Sequence, residues 1–168
     1  MHSWFEVKVK FDKIMEDGKQ KKVTELYLFD ALSFTEAESL ATEELKPLVS
    51  GDLFIEDIKR AKLSEVFLNE LGDRYYKVTV NFITLDEKSG AEKKTKVPML
   101  VQASSIEEAK TVLDDGMKGT MADYTTSMLK ETEIIDVYPF FSDNDENEKD
   151  KEELEDVDEP DEDNESEE

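Results

Sequence analysis

Along Trp4–Phe11, WFEVKVKF, apolar and polar side chains alternate. Phe5, Val7, Val9 and Phe11 fall on one side and Trp4, Glu6, Lys8 and Lys10 on the other, the period-two signature of a half-buried strand. The alternation returns in Tyr75–Phe82, YYKVTVNF, with Tyr76, Val78, Val80 and Phe82 on the apolar side and Tyr75, Lys77, Thr79 and Asn81 opposite. Each run is followed by a turn signal, MEDGK around Gly18 and DEKSG ending at Gly90. A second apolar run then follows, LYLFDA or PMLVQA, which predicts the return strand of a hairpin. Pro98 has no N–H to give a ladder, so its strand is expected at an edge or to begin irregularly.

The period then changes. Ser33 and Ser105 each stand three residues before a glutamate, Glu36 and Glu108, in the repeated phrases ALSFTEAESLATEEL and ASSIEEAKTVLDDGM. This spacing is a capping box, in which the serine oxygen accepts a first-turn N–H and the glutamate reaches back. Beyond the caps, Phe34, Ala37, Leu40, Ala41, Leu45 and Leu48 fall on one helical face, as do Ile106, Ala109, Val112, Leu113 and Met117. A third strand is expected in LFIEDIKRA from Leu53, continuing or restarting in SEVFL, and its counterpart in EIIDVYP from Glu133. On that alignment the second copy carries an insertion around GMKGTMADY.

These elements predict an α+β fold of internally duplicated ββαβ units. The sheet is mainly antiparallel with two helices on one face, and the halves are related by a pseudo-twofold. The body spans residues 1–142, unit one 1–72 and unit two 73–142. One unit alone has one helix stripe and one sheet face, too little for a robust core, so two units are expected to bury each other.

Charge separates the remainder. Residues 143–168 hold 17 Asp/Glu against 2 Lys, a net −15 of the chain's −23, with Leu154 and Val157 the only large apolar residues. Such a segment buries too little to offset the entropy of ordering, and a disordered acidic tail is expected there. The chain has no cysteine, which excludes disulfides, thiolate metal sites and a cysteine nucleophile. No apolar run reaches eighteen residues and the N-terminus is no signal peptide, so a soluble cytoplasmic protein is expected.

Six phrases, WFEVKVKF, VTELYLFDALSFTEAE, VSGDLFIEDIKRA, DRYYKVTVNFITLDEKSGAEKKTK, GMKGTMADY and DVYP, occur in order over residues 1–140. In them the chain resembles an uncharacterised domain-of-unknown-function family of small duplicated proteins from gut Bacteroidota and their phages. The resemblance implies a bacterial or phage-encoded setting and carries no activity and no functional residue.

Little in the chain points to catalysis. The single histidine, His2, stands at a terminus expected to fray. Gly116 and Gly119 follow a helix, whereas a phosphate loop precedes one. Asp143, Asp145 and Asn147 match the first positions of a calcium loop, but Glu148 stands where glycine is required and Leu154 where a bidentate glutamate is required. No enzyme, no metal and no cofactor is expected. The positive charges are better organised. Lys19, Lys21 and Lys22 follow the first hairpin turn, Lys93, Lys94 and Lys96 the second, and Lys59, Arg60 and Lys62 form a third group. With Trp4, Lys8, Lys10, Tyr75 and Lys77 on the polar side of the strands, the hairpin lysines 21, 22, 93, 94 and 96 outline a candidate binding face. The expectation is a non-enzymatic macromolecular interaction module whose partner is a protein rather than a nucleic acid or a membrane. The alternatives are a nucleic-acid-associated protein whose tail masks its basic hairpins, or an acidic phage-type inhibitor of a host nucleic-acid enzyme. Leu26, Leu28 and Leu100 on the same face would allow self-association.

Overall fold

The computed structural model describes residues 2–140. Strands β1 (Ser3–Ile14) and β2 (Gln20–Ala31) form the first hairpin, and β5 (Arg74–Leu85) and β6 (Glu92–Ala103) the second. All four are longer than their apolar cores. The polar ends run out to turns in which Gly18 and Gly90 adopt φ of 78° and 69°, a region only glycine enters without cost. The registers match, with Ser3 opposite Ala31 and Ile14 opposite Gln20, then Arg74 opposite Ala103 and Leu85 opposite Glu92.

Helices α1 (Phe34–Leu45) and α2 (Ile106–Gly116) start as the capping boxes predict. Ser33 Oγ accepts from Glu36 N at 3.1 Å and Ser105 Oγ from Glu108 N at 3.1 Å. The glutamates reach one residue farther back than the box requires, to Leu32 N (3.2 Å) and Ser104 N (3.3 Å). Ala37, Ala41 and Leu45 of α1 are buried, as are Ala109 and Leu113 of α2, whereas Phe34, Ile106 and Leu48, expected on the same stripes, stay about half or more exposed. Leu48 ends a short 3₁₀ turn, Lys46–Leu48.

The sequence leaves open whether the halves share one sheet; the expectation of both helices on one sheet face is corrected, because each helix has a sheet of its own. There are two four-stranded sheets, each with its own helix. The first has order β3-β1-β2-β8 and the second β4-β6-β5-β7, where β3 is Phe54–Ala61, β4 Glu65–Phe67, β7 Asp123–Glu131 and β8 Ile134–Tyr138. Helix α1 lies on Phe5, Val7, Val9, Tyr27, Phe29 and Ala31; α2 lies on Tyr76, Val78, Val80, Met99, Val101 and Ala103. The third strand of the second half is therefore β7, which begins at the last two residues of GMKGTMADY, the stretch expected as an insertion, and EIIDVYP holds a fourth strand. Both β3 and β7 shift register against their neighbours at matching places, between Lys8 and Val9 and between Thr79 and Val80.

The fourth strands cross over. β4 pairs in parallel with β6 of the second hairpin, and β8 in parallel with β2 of the first. Pro98 sits where this cover stops, since β4 reaches only Met99–Val101. The crossing strands bring the sheets together through Leu28, Tyr75, Leu100, Ile134 and Val137, with Trp4, Leu26, Leu63 and Val66 packed against them. Leu28 and Leu100 are at most 1% exposed. Burying one such leucine contributes about 1.5–3 kcal/mol, so the leucines expected on an open face hold the sheets together. None of the described helices is long and apolar enough to cross a membrane.

Candidate functional site

Because one side of each sheet is given to its helix and part of the other to the second sheet, what remains open is the polar side of the hairpin arms. Tyr75 does not belong to that open part. It is 4% exposed and its hydroxyl donates to Asp136 Oδ1 at 3.0 Å. Loss of solvent, then the neighbouring Asp136 charge and hydrogen bond, push the phenol well above the usual tyrosine range. Trp4 is half-buried in the same cluster. The two rings expected to offer a stacking platform therefore pack between the sheets. His2, expected to fray, has Nδ1 3.4 Å from Asp30 Oδ1.

Apart from the half-buried Lys10 these lysines are exposed, but the two sheets treat them differently. On the first sheet, Glu6 stands opposite Lys59 and Lys8 opposite Asp57 across β1 and β3, and Asp12 stands opposite Lys22 across β1 and β2. Lys10 reaches Glu56 at 3.0 Å and Lys59 reaches Asp57 at 3.6 Å. A hollow of about 550 Å³ on this side is lined by Glu6, Lys8, Asp57, Lys59 and Glu133 among others. Its charges are mixed, and no described cluster of acidic or histidine side chains could hold a metal.

At the same addresses the second sheet carries Lys77 opposite Lys130 and Thr79 opposite Met128. On its arm Lys94 faces Ile83 and Lys96 faces Asn81 on the open side, whereas Lys93 faces Thr84 on the side that carries the helix. None of Lys77, Lys93, Lys94, Lys96 or Lys130 forms an ion pair with another described residue. Like charges placed directly across strands repel, whereas opposite charges there contribute roughly 0.2–1 kcal/mol. So the first sheet neutralises its own face and the second leaves a cationic one. The first arm has one comparable pair, Lys13 opposite Lys21, on the side that carries the helix. Lys130 was not legible as part of a face because its strand, DYTTSMLKE, shows no clean alternation.

A second hollow, of about 220 Å³, lies past the end of α1 between Phe11, Tyr27, Leu45, Leu48 and Leu53. At its rim Tyr27 donates to Glu25 at 2.6 Å. In the second half Tyr124 packs against the core under α2 and donates to Asp114 at 3.0 Å, and its ring meets Phe82 edge-on.

The family model of a domain of unknown function (DUF4494) matches residues 3–140 of the chain. The chain belongs to the DUF4494 family. The match covers the two-sheet body and ends before the acidic segment. Residues 143–168, including Asp143, Asp145 and the expected disordered tail, lie outside the described residues. No curated protein and no solved structure matches the chain.

Proposed function

We propose that this DUF4494 chain is a non-enzymatic interaction module that recognises a macromolecular partner through the open face of its second sheet. The observation that carries the reading is Lys77 standing opposite Lys130, unpaired, where the first sheet has Glu6 opposite Lys59. A fold tends to keep a locally unfavourable choice where function needs it. The two halves read as copies of one ββαββ unit, supported by their matched hairpin registers and bulges. On that reading, one copy has kept its cationic face free while the other has closed its own with acids.

The test compares affinity capture by the full chain with capture by its Lys77→Glu variant, with and without nuclease. The variant places a glutamate opposite Lys130, as in the first sheet, so it is expected to fold and to gain about 0.2–1 kcal/mol of stability. Loss of a nuclease-resistant protein partner in the variant supports the proposal. Identical capture by both chains would remove this face from consideration. A nucleic-acid-associated protein is the second reading, favoured by the same lysines; nuclease-sensitive capture lost in Lys77→Glu would establish it instead. The reading as an acidic inhibitor depends on residues 143–168 and requires a basic partner lost on their removal.

A further inference from the structure

The second arm has an open edge as well as a charged face. β4 pairs with β6 only at Met99–Val101, and among the described residues no strand lies beside Glu92–Val97. Pro98 O accepts from Ser64 N at 2.9 Å, which fixes the direction of the backbone: Pro98 turns its carbonyl away from β5. Since successive residues alternate, Lys96 and Lys94 turn their N–H and C=O outward too. Glu92, at the far end of the ladder, has the same orientation; of the three residues that present unused backbone hydrogen bonds, Lys94 and Lys96 carry cationic side chains with no ion pair to another described residue.

Resting on the interaction-module reading, we infer that the partner element is an extended acidic polypeptide segment that adds as a strand to β6 beside Glu92–Val97. Its backbone pairs with Lys94 and Lys96, and its carboxylates meet their ammonium groups. Edge lysines ordinarily stop strands from pairing with copies of themselves. The same lysines admit a strand of opposite sign, which makes the edge selective as well as protected. The first arm is the poorer host, because Asp12 already stands opposite Lys22. Single-stranded nucleic acid fits less well. Its binders combine cations with exposed aromatic platforms, and Tyr75 and Trp4 are packed between the sheets. The chain's net charge of −23 also repels a long polyanion beyond the reach of a few lysines, whereas a short acidic segment engages them locally.

The experiment titrates the full chain with a labelled twelve-residue peptide of alternating Glu and Thr/Val, read by fluorescence anisotropy and by amide exchange. Two comparators are used: the same peptide with proline at every third position, and a twelve-residue oligothymidylate. The expected result is saturable binding of the acidic peptide, with slowed exchange of the Lys94 and Lys96 amides. The proline peptide binds at least about tenfold more weakly, as does the acidic peptide to Lys94→Gln/Lys96→Gln. Equal binding of the proline peptide overturns strand addition, and an unchanged affinity of the double variant overturns the site. Tighter binding of oligothymidylate assigns the face to nucleic acid. If the peptide fails while capture still depends on Lys77, the interaction module stands and this inference falls. If capture is also insensitive to Lys77→Glu, both fall.

Discussion

Two glycines show how the contact around a residue sets the cost of changing it. A Cβ built on Gly72 lies 2.6–2.8 Å from the Ala103 backbone, which is held in the β5–β6 ladder and cannot retreat. One on Gly116 meets the Phe67 ring at 2.6 Å. That ring can turn, and alanine in a helix regains about 1 kcal/mol over glycine. Gly72→Ala is therefore expected to cost about 2–3 kcal/mol and Gly116→Ala clearly less, measured by urea denaturation. Equal losses would show that the Phe67 ring is as immovable as backbone. Tyrosines give a second expectation at this scale. Burial, and then Asp136, raise the phenol of Tyr75; burial, and then the bond to Glu25, raise that of Tyr27. An unfolded tyrosine ionises near pH 10, so above that pH the unfolded chain loses protons that the folded one keeps. Stability is then fully present below about pH 10 and falls as pH rises through the folded values. Urea midpoints between pH 8 and 11 should show this fall, and it should shrink in Tyr27→Phe/Tyr75→Phe.

At the scale of elements, the exchange of β4 and β8 makes each half depend on the other. Residues 1–72 lack the strand that covers Tyr27–Phe29, and residues 73–140 lack the one that covers Met99–Val101. Each fragment alone is expected to give an unfolded circular-dichroism spectrum, and the two together to recover a folded one. Folding of either alone would refute the dependence. The sequence made some of this readable and hid the rest for physical reasons. Alternation in WFEVKVKF and YYKVTVNF, and the paired Ser–Glu spacings, are local signals, and the strands and helices they mark are present. The runs LYLF and PMLV held a further sign, since continuous apolar residues mean cover on both faces. Read that way, Leu26, Leu28 and Leu100 belong under a second layer. β7 is a polar edge strand with few buried positions, so it has little pattern to show. A three-residue strand such as β4 says nothing about which sheet it will join, because parallel pairing across the halves is not a local property. The cationic face was half legible: Lys77, Lys94 and Lys96 were in view, but their lack of partners needed the register.

For the whole molecule, the path of β8 has a consequence beyond packing. β8 runs parallel to β2, and β2 antiparallel to β1, so β1 begins and β8 ends at the same end of the first sheet. Phe5 and Tyr138 both stand beside Phe29, two strand spacings or about 10 Å apart. The body is thus a nearly closed ring of chain, and its starting point is arbitrary as far as the fold is concerned. A circular permutant that joins Tyr138 to Ser3 through a short glycine–serine linker and opens the turn at Asp17–Gly18 should melt in one transition with both sheets intact. A permutant that loses only the first sheet would mean that the free end of β1, and not the ladder beside it, organises that half.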